Sequence, residues 1–167
     1  MARTTPKPVR TLYRGTNADL LVDVARLYIP DGALVADVTW GKGIFWQKTD
    51  TTRFTLLGSE VDVQRIQEAV GVHEPQWALF ADQSRRFLVA DCTHLPYQHQ
   101  SLDVVVIDPP YMHRPHLRET KVMTQYNNVH TTHGMSHQQI LRELYCPAIP
   151  EAARVLKGGG LLCQDRS

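Results

Sequence analysis

The feature that most constrains this sequence is a recurrence: four short apolar runs, each ending on or beside a carboxylate. Residues 33–38 contain Asp37, residues 54–59 run into Glu60, residues 87–90 into Asp91, and Leu102–Ile107 into Asp108. Runs of this length suit strands buried on both faces. The segments between them include stretches of helical spacing. From Thr16, Leu20, Leu21, Val24, Ala25 and Tyr28 recur on one helical stripe, which Pro30-Asp31-Gly32 stops. Strands alternating with helices imply βαβ units, a parallel sheet and right-handed crossovers. Ligands of such sheets bind beyond the carboxyl ends of the strands. Four acidic residues along that edge mark it as the place to look for chemistry.

The remaining segments fill in the same plan. A short helix is expected around 44–48 after the glycine-rich turn 39–43, and another over 61–70 with Val63, Ile66 and Val70 on one face. Residues 71–85 read as an irregular, packed loop with Pro75, Trp77 and Phe80. The stretch 112–135 is polar and histidine-rich without periodicity, and a connection of that length is usually functional or mobile. A helix begins near Ser136, which forms a capping box with Gln139. It carries Ile140, Leu141, Leu144 and Tyr145 and is kinked or divided by Pro147 and Pro150. Glycines 158–160 end the helical region, and Leu161-Leu162-Cys163 starts a fifth strand.

With 167 residues and 43% hydrophobic content, the chain has the length and composition of one globular domain. Residues 1–11 read as a flexible basic arm and 12–167 as the domain. A net charge of +1 gives no global attraction to polyanions, so nucleic-acid contact must come from local patches. Cys92, Cys146 and Cys163 show no Cys-x-x-Cys pairing, which fits a reducing compartment and no zinc ribbon. No apolar run reaches the length of a membrane span and the first residues lack a signal-peptide core, so a cytoplasmic protein is expected.

Two motifs carry chemistry. In Asp37-x-Thr39-x-Gly41-x-Gly43 the glycines let backbone approach a ligand closely. The spacing is not Gly-x-Gly-x-x-Gly, and no Walker lysine follows. Glu60, or Asp62 beside it, can accept two hydrogen bonds from the hydroxyls of a ribose. In Asp108-Pro109-Pro110-Tyr111 two prolines stiffen the turn after a buried strand. That would aim the Asp108 carboxylate and the Pro109 carbonyl, two acceptors, at one point, which suits an NH2 group. Tyr111 offers a face for a planar base. Arg114, Arg118 and Lys121 follow on the loop as phosphate contacts, with Arg85 and Arg86 as second choices. The histidines do not assemble a metal-binding spacing, and no metal is expected. Trp40 and Trp46 read as core or cofactor-shielding groups.

On these residues the chain resembles the amino-methylating DNA methyltransferases, the N6-adenine and N4-cytosine family. The family tetrapeptide Asp/Asn/Ser-Pro-Pro-aromatic matches Asp108-Pro109-Pro110-Tyr111 in full, and its cofactor loop matches Asp37, Thr39, Gly41 and Gly43. Glu60 and Asp91 match its acidic strand ends. Residues 151–160 are similar to its helix-to-fifth-strand passage, and the segment from Asn17 to Leu21 to its methionine-pocket helix. The resemblance implies an α/β, Rossmann-like class I methyltransferase sheet of parallel strands flanked by helices. It implies S-adenosylmethionine with its methionine end over residues 37–43, its ribose at Glu60 and its adenine near Asp91 and Cys92. It further implies methyl transfer to an exocyclic base amine, N6 of adenine in DNA before other targets. An RNA base (guanine-N2 or adenine-N6) is the alternative substrate, and a non-catalytic subunit the alternative role. The family sheet continues into a last β-hairpin that this sequence lacks, which reads as a fragment, a natural truncation, or half of an assembly in which a second copy or a partner subunit covers the open edge.

Overall fold

The computed structural model of the chain describes residues 15–62, 64–66, 86–108, 139 and 141–164. The first helix, α1, spans Asn17–Tyr28. Thr16 caps it: its hydroxyl accepts from the Asp19 N–H while the Asp19 carboxylate reaches back to the Thr16 N–H. The Asp19 N–H also donates to the Thr16 carbonyl at 3.0 Å, so the box reinforces the first turn at both of its residues. The buried stripe is Ala18, Leu21 and Ala25, with Val24 packed alongside. Leu20 and Tyr28, expected on that stripe, are 41% and 62% exposed. The buried face of the helix is therefore narrow, and the larger residues Leu20 and Tyr28 flank it.

Strands β1 (Leu34–Asp37), β2 (Thr55–Glu60), β3 (Phe87–Val89), β4 (Leu102–Ile107) and β5 (Leu156–Gln164) form one parallel sheet in the order β3-β2-β1-β4-β5. From β1 the chain works outward to β2 and β3. It then returns across β1 to β4 and continues the other way to β5. The order therefore reverses at the β1–β4 junction, and that crevice is where open α/β sheets take their ligands.

Period-two alternation gives each strand two faces. Val35, Leu56, Val104 and Val106 look toward α1 and the aromatic group of Trp40, Trp46, Phe54 and Phe87. Ala36, Val105 and Ile107 look toward a second helix, α2 (Cys146–Val155), and meet Ala148, Ala152 and Val155. Asp37 has the parity of Val35 and so belongs to the aromatic side.

The single acid inside β4 has a structural reason. Asp103 Oδ2 accepts the Leu34 N–H at 2.8 Å and Oδ1 accepts Lys157 Nζ at 2.7 Å, tying the start of β1 to the start of β5. A second clamp holds the loop after β3. Arg154 of α2 donates to the carbonyls of Leu95 and Tyr97 at 2.9 and 3.0 Å, and Glu151 accepts the Leu95 N–H at 2.7 Å.

Four sequence expectations change in detail. The helix expected at 44–48 is a single tight turn, Ile44–Trp46. Of the helix expected at 61–70, residues 64–66 are helical and the others lie outside the described residues, apart from Val61 and Asp62 at its approach. The fifth strand starts at Leu156, earlier than expected, because Leu156 pairs with Leu102 before 157–160 bulge out and Leu161 pairs with Val104. Pro147 and Pro150 do not divide the helix: a wide π turn, Leu141–Tyr145, passes directly into α2, which contains both prolines and continues through Pro150. No helix among the described residues is long and apolar enough to cross a membrane.

Candidate functional site

The register aligns the site. Asp37 pairs with Gly58 of β2 and Val106 of β4. Glu60 and Asp108 thus stand two residues beyond Asp37, higher by about 6–7 Å at the usual rise of a strand. Thr39 also lies two residues beyond Asp37, so the turn after β1 rises between Glu60 and Asp108. Backbone bonds extend the ladder on both sides, from Val38 N–H to the Val106 carbonyl and from Trp40 N–H to the Ser59 carbonyl, each at 3.0 Å.

Gly41 and Gly43 adopt left-handed backbone, with φ of 55° and 62°. L-residues are strained there, which accounts for glycine at both positions. Gly58, below the turn, answers to space rather than dihedral angle. A Cβ on it would stand 2.7 Å from the Phe87 ring and 2.9 Å from Trp40. Those two aromatics pack edge-to-face at 4.9 Å and fix Trp40 under the turn.

Asp37 is 3% exposed. One oxygen accepts the Trp46 indole N–H at 2.8 Å and the other accepts the Thr39 N–H at 3.1 Å. Burial dominates over these bonds and, with the nearby Glu60 charge, pushes the carboxyl up to about 6.

Glu60 is 4% exposed. Its Oε2 accepts the Gly41 N–H at 2.8 Å, and Oε1 accepts the N–H groups of Val61 and Asp62 at 2.9 and 3.3 Å. It is therefore no solvated acid at a helix start; it holds the glycine turn against β2. Arg65 reaches over the same point, its guanidinium 4.0 Å from Glu60 and 3.8 Å from Asp62. Asp62 is the more open of the two ribose candidates, with its side chain 25% exposed against 5% for Glu60.

Asp91 is exposed at the end of β3, where one oxygen accepts the Thr93 N–H and hydroxyl, both at 2.8 Å. The Cys92 side chain turns away into the α2-side core, where burial pushes its thiol up to about 12. A ligand contact from Cys92 is therefore limited to its backbone. Val61, 40% exposed between Glu60 and Asp91 in the order of the edge, presents an apolar surface there. Asp108 follows β4 directly, and its N–H donates to Thr39 Oγ1 at 2.7 Å.

The structure thus brings Asp37, Thr39, Gly41, Gly43, Glu60 and Asp108 into one bonded edge, with Asp91 exposed further along it. Pro109, Pro110, Tyr111, Arg114, Arg118 and Lys121 lie outside the described residues, as does Arg85. Among the described residues no His, Cys, Asp or Glu cluster could hold a metal. Sequence reasoning did not find the Trp46 bond to Asp37, the place of Arg65, or Thr39 as a link to Asp108. Those contacts join residues whose meeting no local spacing encodes.

A five-stranded parallel sheet in the order 3-2-1-4-5, with a glycine turn after the first strand, is the Rossmann-like fold of the class I methyltransferases. Solved structures bear this out. TrmN from Thermus thermophilus superposes with a TM-score of 0.55 at 22% identity, covering 88% of this chain and 37% of its own. A proposed S-adenosyl-L-methionine-dependent methyltransferase of Methanococcus maripaludis gives 0.53 at 12%, covering 89% and 55%. The [4+2]-cyclase SpnF gives 0.53 at 22%, covering 87% and 42%. The chain spans between 37% and 55% of the length of these proteins. The likeness shows the fold, and the presence of a cyclase in this group means that the fold does not dictate the reaction. No protein-family model matches the sequence, and no curated protein matches it.

Proposed function

We propose that this chain binds S-adenosylmethionine at the β1–β2 edge and transfers its methyl group to an exocyclic amine of a nucleobase, N6 of adenine in DNA being the leading substrate. The observation that carries the reading is electrostatic. Two carboxylates, Asp37 and Glu60, are buried under a left-handed glycine turn, and burial together with the neighbouring Glu60 charge pushes the first up to about 6, while the Arg65 guanidinium lies 4.0 Å from Glu60. A cationic ligand bearing N–H and O–H donors suits this edge, and the sulfonium and ammonium of S-adenosylmethionine are such a cation pair. The residues fit the group: Asp37 with the backbone of 39–43 for its methionine end, Glu60 or Asp62 for the ribose, Val61 and Asp91 for the base. When bound, the cofactor supplies an electrophilic methyl on sulfur, so no metal or covalent nucleophile is required.

The protein's own contribution is positioning and fixed acceptors. An aromatic amine is a weak nucleophile because its lone pair is delocalised into the ring. Asp108, at the end of β4, would accept one of its N–H bonds, and the Pro109 carbonyl the other, leaving the lone pair directed at the methyl. Tyr111 would stack on the base, worth about 1–3 kcal/mol, against an unstacking cost of about a few kcal/mol for a base taken from a duplex. Arg114, Arg118 and Lys121 would meet the phosphates.

The test has two parts. Calorimetry should show micromolar binding of S-adenosylmethionine that Asp37→Ala abolishes and Asp108→Ala retains. Transfer of labelled methyl to adenine in single- and double-stranded DNA, with RNA in parallel, should fall at least about 100-fold in Asp108→Ala. Binding without transfer to any nucleic acid points to a non-catalytic subunit, and no binding by the folded chain overturns the reading.

A further inference from the structure

Thr39 belongs by sequence to the cofactor loop, and its polar atoms link that loop to the end of β4. Its N–H is bound to Asp37 Oδ1 at 3.1 Å, and its hydroxyl oxygen accepts the Asp108 N–H at 2.7 Å across a sequence gap of 69 residues. The bond falls where the β1–β4 ladder ends. Val38 N–H to the Val106 carbonyl is the last backbone rung there, and the Asp108 N–H is the next donor along β4. A side-chain oxygen thus takes up the ladder one step past the sheet, where the backbone of β1 has already turned into the glycine loop. The bonds form a continuous series: Trp46 indole to Asp37, Thr39 N–H to Asp37, Asp108 N–H to the Thr39 hydroxyl. Trp46 is 2% exposed and Asp37 3%, so the base of the series is fixed by packing. Its far end is the residue proposed to accept the substrate amine.

We infer that Thr39 is a positioning residue for Asp108, locking the first residue of the acceptor loop to the cofactor turn, and that its hydroxyl serves the acceptor side of the reaction rather than cofactor affinity. This rests on the proposed role of Asp108. Other side chains at position 39 would not reproduce the bond. Valine has the same shape without the oxygen, and a longer side chain would place its oxygen beyond the Asp108 N–H. The turn requires a small side chain carrying an oxygen on Cβ, which only threonine and serine provide.

The experiment compares the full chain with Thr39→Val and Thr39→Ser in three readouts. In ¹⁵N-resolved hydrogen exchange, the Asp108 amide should be protected in the wild type, lose protection at least tenfold in Thr39→Val and regain most of it in Thr39→Ser. Calorimetry with S-adenosylhomocysteine should show affinity changed less than threefold in both. Methyl transfer should show kcat reduced at least tenfold in Thr39→Val with the substrate KM little changed, and largely restored in Thr39→Ser. Should the valine variant not fold, Thr39→Ala supports the same comparison. Asp108 protection that survives Thr39→Val overturns the inference whatever the activity. Cofactor affinity falling in step with kcat overturns it too, by assigning the hydroxyl to the cofactor. Wild-type chain that transfers no methyl, yet shows Thr39-dependent protection of Asp108, overturns the proposed function and leaves the positioning contact in place.

Discussion

Asp37 ionises against its environment, and the cost should be visible in the stability of the protein. Its carboxyl titrates near 3.8 when the chain is unfolded and is raised to about 6 in the fold, burial being the main cause. Between these values the native state holds a proton that the unfolded state has released. Stability from this group is therefore complete below pH 4 and falls as pH rises to 6, above which it is constant. A rise of roughly two pH units at about 1.4 kcal/mol each gives about 3 kcal/mol. Asp37→Asn removes the titration while retaining an oxygen for the Trp46 N–H. Its amide NH2 would face the Thr39 N–H, donor against donor, at a cost of about 1–3 kcal/mol that does not vary with pH. Urea unfolding of both proteins from pH 4 to pH 8 isolates the effect. The wild type should lose about 3 kcal/mol relative to the variant between pH 4 and pH 6.5, whatever their offset. Parallel stability curves would show that Asp37 is not a buried, destabilised acid and would remove the electrostatic argument for a cationic ligand.

Three further outcomes follow from the same contacts. S-adenosylmethionine should bind more weakly as pH falls from 7 to 5, because Asp37 takes up a proton near pH 6; calorimetry showing a flat profile would contradict the pairing of Asp37 with the cofactor's positive end. Gly58→Ala should destabilise the fold by about 1–3 kcal/mol, because its Cβ meets the Phe87 ring at 2.7 Å and Trp40 at 2.9 Å; chemical denaturation reads this, and an unchanged midpoint would mean that the aromatic pair moves freely. In native protein at pH 8, iodoacetamide should label exposed Cys146 well before Cys92 and Cys163, whose thiols are pushed up to about 12 and about 11 by burial; peptide mass spectrometry showing equal labelling would refute the packing of Cys92 against α2.

The sheet was readable because its signals are local. β4 matched from Leu102 to Ile107, since an unbroken apolar run needs no partner to be recognised. Asp37, Glu60 and Asp108 were found at strand ends because chain position alone places them there. What those carboxylates do with their oxygens was not readable. That Glu60 closes on the Gly41 N–H depends on the crossover from β1 to β2, which brings together residues 19 apart, and that Trp46 donates to Asp37 depends on how the turn after β1 folds back over 9 residues. Asp103 interrupts an apolar strand for a partner 54 residues later, and no periodicity announces that. The exposure of Leu20 on α1 has a similar origin, because helical spacing gives a stripe but not its width.

The glycine turn is already hydrogen-bonded within the chain, and this bears on how quickly a site of this kind can empty. The N–H groups of Gly41, Val61 and Asp62 already have an acceptor in Glu60, and the Thr39 N–H has one in Asp37. A ligand entering here exchanges one set of hydrogen bonds for another of similar kind, so its residence is governed by charge more than by bond count. In the proposed reaction Asp37 and Glu60 would attract the sulfonium charge of the bound cofactor, and that attraction would fall once the methyl is gone, leaving the internal acceptors to recapture the turn. Product dissociation would then run downhill into a conformation the chain already holds, and the next encounter would begin from a folded cradle rather than a slack loop.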